Sequence, residues 1–222
     1  MASNDEELSD ADRDEQELQW RTRLRDDSDA ALAEAFSLYR DSFRSMLLFR
    51  MDRRLTGRVD PEDILQEAFL AAQNRLRHFL DSDRFTLFAW LRMIVVQALL
   101  DAHRRHLSAE KRSATREIKL GGGSVRYPQT TSLSIAGQLA AAQTSPSGVL
   151  VRDETLVILE RTIAGLGEQD QEIIAMRHFE NLSNKQVAEV LQLTPTAASN
   201  RYVRALQRLK ELLQREGLEL PS

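Results

Sequence analysis

The sequence predicts an all-α protein made of two small helical domains joined by a flexible linker. Apolar residues recur at three- and four-residue steps through most of the chain, which is the spacing of one face of an α-helix. No useful run of alternating apolar and polar residues, the pattern of a half-buried strand, interrupts them. The 222 residues include only 9 Gly and 5 Pro, too few for a β protein crowded with turns.

The first domain is predicted over residues 28–112 and contains three helices. The first begins near Ser28, and its apolar face carries Leu32, Phe36, Tyr39, Phe43, Met46 and Leu47. The second starts at Asp60-Pro61, since Asp caps a helix and Pro suits the first helical position. Its buried stripe is Leu65, Phe69, Ala72 and Leu76. The third helix runs from about Phe85 to Leu107 and ends in basic residues.

The second domain is predicted over residues 149–215, after a linker at 113–148 that is rich in Gly, Ser, Thr and Gln. Ser183 and Gln186 have the spacing of a capping box, in which each side chain satisfies a backbone amide of the other residue. A tight turn at Gln192-Leu193 leads to Thr194-Pro195, a second cap followed by proline. Residues 216–222 form a short tail.

The charge of the chain is unevenly distributed. Residues 1–34 hold 12 Asp/Glu and 4 Arg, a net charge of −8, whereas the whole chain has a net charge of −4. Residues 1–27 are therefore predicted to be an acidic, disordered leader, and the rest of the chain is mildly basic. An alternative is that the leader competes with DNA for a basic face.

Several classes of protein are excluded by composition. Because the chain has 0 Cys, it has no disulfide scaffold, thiolate zinc site or cysteine nucleophile. No apolar stretch reaches the ~18–20 residues that a membrane span requires, and the acidic N-terminus is no secretory signal. No catalytic or metal-binding constellation stands out. We therefore expect a soluble, cytoplasmic protein without a cofactor, a bound metal, membrane insertion or enzymatic activity.

The two capped helices at the end of the second domain are typical of a helix-turn-helix. The second helix fits the major groove of DNA, where Arg and Asn side chains reach base edges. The residues near its start, where groove contact is expected, are Thr196, Ala197, Ser199, Asn200, Arg201 and Arg204. A helical hairpin with a solvated basic face is the alternative interpretation.

Three groups of motifs, in this order, resemble a bacterial RNA polymerase sigma factor of the extracytoplasmic-function (ECF) group. Asp60-Pro-Glu-Asp-Ile-Leu-Gln-Glu-Ala-Phe-Leu70 resembles the helix that docks on the polymerase clamp. Phe88-Ala-Trp-Leu-Arg-Met-Ile94, followed by Asp101 and Arg104-Arg105, resembles the helix that melts and reads the minus-ten promoter element. Leu166-Gly-Glu-Gln-Asp-Gln-Glu-Ile-Ile174, Asn181-Leu-Ser183, Val187-Ala-Glu-Val-Leu191 and the arginines at 201 and 204 resemble the fourth sigma domain, which reads the minus-thirty-five element.

This resemblance implies a protein that binds core RNA polymerase, recognises promoter DNA and helps to open it. It implies a polymerase-binding set of Glu62, Asp63, Gln66 and Glu67. It also implies a minus-ten set of Trp90, Arg92, Gln97, Asp101, Arg104 and Arg105. Within that set, Trp90 is also compatible with a place in the core, and Asp101 with a local ion pair to Arg104 or Arg105.

The sequence departs from the usual pattern of the group at three positions. The group usually has Asn at Gln97, Gly at Gln192 and a β-branched residue at Ala198. The alternative function is a helix-turn-helix regulator that acts without core polymerase. The residues leave open whether an anti-sigma factor is a partner and how the two domains are arranged in the free protein.

Overall fold

Helices dominate the computed structural model, which describes residues 10–55, 57–107, 118–120, 123–125, 131, 134–136, 139 and 149–217. The predicted all-α class is confirmed, with one addition. A small antiparallel hairpin, β1 (Ile118–Leu120) and β2 (Gly123–Val125), lies within the predicted linker. Across the described residues, no helix is both long and apolar enough to cross a membrane.

Three helices form the first domain around an aromatic core. Their bounds are Ser28–Arg50 for α2, Pro61–Leu80 for α3 and Leu87–Leu107 for α4, with a short 3-10 turn at Arg53–Leu55. In the core, the Phe43 ring lies 5.9 Å from both the Phe36 and the Phe88 ring, edge-on to the first and stacked on the second. The predicted apolar face of α2 is confirmed, since Leu32, Phe43 and Leu47 are fully buried.

The starts of α2 and α3 are set by local signals. The Asp27 side chain accepts a hydrogen bond from the backbone N–H of Ala30 (3.3 Å), and the Asp60 side chain accepts one from Glu62 (2.9 Å). Pro61 occupies the first turn of α3, as its fixed backbone angle favours. The helix start predicted at Asp60-Pro61 is confirmed.

The predicted disordered leader is wrong for residues 10–26, which form a helix, α1 (Asp10–Asp26). Trp20 and Leu24, one turn apart, are buried against the first domain. The Arg21 guanidinium donates to the backbone carbonyls of Ser82 (3.1 Å) and Phe85 (2.9 Å). Because many carboxylates surround Trp20 and Leu24 in the sequence, the composition predicted disorder and the apolar pair was missed. Residues 1–9 lie outside the described part of the chain.

Because α1 packs on the first domain, a deletion of residues 1–27 would affect folding as well as charge. Glu17 accepts a hydrogen bond from the backbone N–H of Leu87 (2.9 Å), so α1 caps the start of α4. Deleting residues 1–27 would remove this cap together with the buried Trp20 and Leu24. The hypothesis that the leader competes with DNA therefore needs a truncation that stops before α1.

Four helices form the second domain. Their bounds are Val149–Ala164 for α5, Glu168–Ile174 for α6, Asn184–Leu191 for α7 and Pro195–Arg215 for α8, and a wider π turn at Ala175–Phe179 extends α6. The capping box is present, since Ser183 Oγ accepts from the Gln186 N–H (3.2 Å) and Gln186 Oε1 accepts from the Ser183 N–H (2.9 Å). Thr194 Oγ1 accepts from the Ala197 N–H (3.2 Å) and caps α8. Both predicted helix starts are confirmed.

Gln192 ends α7 in a left-handed backbone conformation, with φ 53° and ψ 46°. A residue with a Cβ atom adopts this conformation at a cost of about 1–2 kcal/mol, which is why Gly is favoured there. The Gln192 side chain donates to the backbone carbonyl of Arg84 in the first domain (3.3 Å). A glycine could not make this contact between the domains.

The predicted linker at 113–148 is described only in short pieces. Besides the hairpin, Thr131, Ile135, Ala136 and Leu139 are buried. The remaining residues of the linker, and those of the tail from 218 onward, lie outside the described part of the chain. The flexibility of the linker therefore stays a prediction.

The two domains contact each other in this structure. The Phe49 ring at the end of α2 stacks on the Phe179 ring of the π turn, with centroids 4.9 Å apart and ring planes 8° apart. α7 packs on α4, so the first helix of the predicted helix-turn-helix lies against the first domain. The sequence does not determine how the two domains are arranged. In this structure they pack against each other, which we call the closed arrangement.

Candidate nucleic-acid and polymerase interfaces

The second helix of the helix-turn-helix, α8, presents a polar face to solvent. Its opposite face is held in the core by Ala198, Ala205 and Leu209. Asn184 Nδ2 at the start of α7 donates to the carbonyl of Pro195 (2.9 Å), which ties the two helices together at the turn. The polar face is therefore presented by a helix that is fixed at its N-terminal end.

The predicted reading residues share this exposed face. Five of the six are exposed, and Arg201 is half-buried. The exposed ones are Thr196, Ala197, Ser199, Asn200 and Arg204. Asn200 and Arg204 are one turn apart, so their side chains point the same way from the helix. Such a row can enter a major groove, since Asn pairs with adenine and Arg with guanine through two hydrogen bonds each.

The predicted minus-ten set on α4 is divided by the structure. Trp90 is buried and stacks on Phe79, with ring centroids 4.4 Å apart and ring planes 20° apart. Arg92 is also buried, and its guanidinium donates to Glu180 of the second domain (2.7 Å). The core position that the sequence allowed for Trp90 is confirmed, and neither residue is accessible to DNA in the closed arrangement, so their contacts with DNA stay a prediction. The reason is that α4 is covered by α2 and α3 on one side and by the second domain on the other.

The C-terminal half of α4 keeps its predicted polar groups near the surface. Gln97 is half-buried and donates to Asp101 (3.3 Å), and Arg104 is exposed and forms an ion pair with the same carboxylate. Burial alone would raise the pKa of Asp101, but the hydrogen bonds from Arg104 and Gln97 lower it below its usual range. The local ion pair that the sequence allowed for Asp101 is confirmed with Arg104.

The acidic face of α3 lies next to this basic end. Asp63, Gln66 and Glu67 are exposed, whereas Glu62 is half-buried between two arginines of α2, Arg40 (2.7 Å) and Arg44 (3.5 Å). An ion pair of Glu67 with Arg105 (2.7 Å) joins α3 to the end of α4. The predicted polymerase-binding and minus-ten sets therefore adjoin each other.

Leu70 is a surface residue that the sequence reasoning did not assign to a site. Its side chain is 59% exposed and continues the row of Asp63, Gln66 and Glu67 by helical spacing. Its place within the polymerase-like motif and its hydrophobicity, on the polar side of α3, are the signals that could have identified it. A protein partner would gain more from covering a leucine than from the neighbouring carboxylates alone.

Two protein-family models match this chain. The "Sigma-70 region 2" family model matches residues 41–108, and the "Sigma-70, region 4" model matches residues 156–209, so together they cover more than half of the chain. The chain belongs to the sigma-70 family. It is an ECF-type RNA polymerase sigma factor, and it acts in transcription initiation rather than as an enzyme. The match to region 2 decides against the alternative of a regulator that acts without polymerase.

Curated relatives support the same assignment for this sigma factor. The RNA polymerase sigma-H factor of Pseudomonas aeruginosa is 24% identical over 184 residues, which are 81% of this chain and 86% of the relative. The ECF RNA polymerase sigma factor SigW of Bacillus subtilis is 23% identical over 185 residues, 83% of this chain and 89% of SigW. The ECF RNA polymerase sigma-E factor of Haemophilus influenzae is 25% identical over 161 residues, 72% of this chain and 78% of that protein.

A solved structure also resembles this sigma factor. It is the structure of CnrH in complex with the cytosolic domain of CnrY, which is 18% identical, covers 88% of this chain and 96% of that chain, and gives a TM-score of 0.44.

Proposed function

We propose that this sigma factor binds core polymerase and the two promoter elements through three surfaces. The α3 face of Asp63, Gln66, Glu67 and Leu70 binds core RNA polymerase. The end of α4, with Gln97, Asp101, Arg104 and Arg105, contacts the minus-ten element. The exposed row on α8, from Thr196 to Arg204, reads the minus-thirty-five element.

The observation that carries this proposal is the exposed polar row on α8. Its residues are held by a capped helix whose other face is buried, and they include both side-chain types that read bases by paired hydrogen bonds. The end of α4 adds arginines that are suited to phosphates, which fix the register of a protein on DNA. Since core polymerase and promoter DNA are the partners of a sigma factor, the protein acts in the cytoplasm. An anti-sigma partner stays a prediction of the family resemblance.

Reversing the charge of Glu67 tests the polymerase surface. We expect Glu67→Lys to weaken binding to core polymerase about tenfold, because an attractive surface charge becomes a repulsive one. Binding is measured by fluorescence with purified core enzyme at low and high salt, and the loss should shrink at high salt.

The Glu67 variant has two controls. Glu67→Gln removes the ion pair with Arg105 without reversing the charge, so it separates the loss of that pair from repulsion. Glu34→Lys reverses another exposed, ion-paired carboxylate, on α2 and paired with Arg23 of α1, and should leave core binding unchanged. Core binding by Glu67→Lys at the wild-type level would reject the α3 face.

Removing both arginines at the end of α4 tests the minus-ten surface. We expect Arg104→Ala/Arg105→Ala to reduce the slope of log affinity against log salt by about two, one for each lost phosphate contact. The slope is measured for the complex of sigma factor, core polymerase and promoter DNA. Arg23→Ala/Arg25→Ala removes the same charge from exposed positions on α1 and serves as the control. An unaltered slope in the α4 variant contradicts the assignment.

A further inference from the structure

Four charged side chains are buried together where the two domains meet. Arg50 comes from the end of α2 and Arg92 from α4, both in the first domain. Glu172 comes from α6 and Glu180 follows the π turn, both in the second domain. Each of the four is at most 2% exposed.

The geometry of this cluster is that of strong, charge-assisted pairing. The Arg50 guanidinium donates two hydrogen bonds to the Glu172 carboxylate, of 3.1 and 2.7 Å, and a third to Glu180, of 2.5 Å. Arg92 donates to the other oxygen of Glu180 (2.7 Å). Thr131 of the linker donates to Glu172 (2.8 Å). The cluster therefore joins the first domain, the linker and the second domain.

The charges are divided strictly between the domains, since both cations belong to the first and both anions to the second. In the closed arrangement each buried charge is paired, and removing the two anions would leave both guanidinium groups buried without these carboxylate partners, which favours opening. Burial alone would raise the pKa of Glu180, but Arg50 and Arg92 lower it below its usual value. Glu180 is therefore ionised at neutral pH and forms ion pairs with Arg50 and Arg92.

The chemistry of the two arginines points to a second ligand. A guanidinium that binds a carboxylate through two parallel hydrogen bonds can bind a phosphate in the same way. When the domains separate, Arg50 at the end of α2 and Arg92 on α4 face solvent, and α4 also carries Arg104 and Arg105 at its C-terminal end. We propose that Arg50 and Arg92 form a phosphate-binding site for promoter DNA, which Glu172 and Glu180 occupy while the domains are closed. This inference rests on the proposed function of α4 in DNA binding.

Closure affects the two DNA surfaces differently. The reading row on α8 is exposed in the closed arrangement, whereas Arg92 on α4 is covered. Away from the cluster, Thr86 at the start of α4 donates to Glu189 of α7 (3.0 Å) and adds to the contact. Promoter DNA thus has access to α8 first and must displace the second domain before its phosphates reach Arg50 and Arg92.

The first experiment measures domain opening. Since the chain has 0 Cys, Leu38→Cys and Gln207→Cys, at exposed positions on α2 and α8, allow specific labelling with two dyes. Glu172→Gln/Glu180→Gln keeps the size of the side chains but removes both anions. We expect a clear fall in energy transfer between the dyes in this variant of the full-length protein.

The second experiment measures DNA affinity without polymerase. The probe is a single-stranded DNA of mixed sequence and about 20 nucleotides, since phosphate contacts do not depend on sequence. We expect Glu172→Gln/Glu180→Gln to bind it about tenfold more tightly than the wild type, with a salt slope that is steeper by about 1.4. Adding Arg50→Gln/Arg92→Gln should return affinity and slope to the wild-type level. This fourfold variant carries no buried charge in the cluster, and its folding is checked by circular dichroism.

The outcomes separate the parts of the inference. Unchanged energy transfer in the double variant overturns the role of the cluster in closure. Opening without tighter DNA binding, or tighter binding that survives the loss of both arginines, overturns the phosphate site. Transcription by core polymerase with the wild-type protein tests the proposed function separately, so that its failure is distinguishable from the failure of this site.

Discussion

Replacing Trp90 with alanine is expected to lower the free energy of unfolding by about 3–5 kcal/mol, the usual loss for a buried large aromatic residue. Trp90 is 5% exposed and stacks on Phe79 in the core of the first domain. The variant would lose both the buried area and the aromatic contact. Urea unfolding followed by far-ultraviolet circular dichroism measures this change.

Two variants bracket the Trp90 result. Trp90→Phe keeps an aromatic ring against Phe79 and should lose clearly less stability than the alanine variant. Leu48→Ala truncates an apolar residue of α2 that is 50% exposed and should change stability by no more than about 0.5 kcal/mol. If Trp90→Ala were as stable as the wild type but failed to open promoters, the residue would belong to the DNA surface after all.

Replacing Asn200 and Arg204 together with alanine is expected to reduce promoter-dependent transcription about 100-fold. Each side chain can form a paired contact with a base worth roughly 1–3 kcal/mol. Both are exposed, so the stability of the protein should be unchanged within about 0.5 kcal/mol. The measurement is run-off transcription by core polymerase with each variant, on one promoter and at one salt concentration.

The matched control lies on the same helix. Gln207→Ala/Lys210→Ala also removes one polar and one cationic side chain from exposed positions, but more than three turns beyond the start of α8. It should retain most of the transcription, because these residues lie past the end that enters the groove. Equal losses in the two variants would indicate a general charge effect and contradict specific reading by Asn200 and Arg204.

The sequence predicted the helix starts and the exposed helix face, which depend on residues close together along the chain. Asp60-Pro61, the Ser183–Gln186 capping box and Thr194-Pro195 act within one turn, and each begins a helix where expected. The α8 row is exposed for the same reason, since helical spacing alone separates it from the buried face of Ala198 and Ala205.

The sequence did not predict what depends on distant contacts. Arg50 meets Glu172 and Glu180, which are 122 and 130 residues further along the chain, and no local pattern announces this pairing. Arg92 has the composition of a DNA contact, and only the position of the second domain shows that it is covered. The acidic composition around Trp20 likewise predicted disorder, whereas this segment is the packed helix α1.

Run-off transcription tests the central claim most directly. Purified protein is added to sigma-free core polymerase on a fragmented genomic template library from the source organism. We expect discrete new start sites that share two spaced promoter elements, and we expect Asn200→Ala/Arg204→Ala to abolish them. Absence of core binding and of new transcripts, together with tight duplex binding by the protein alone, would contradict it.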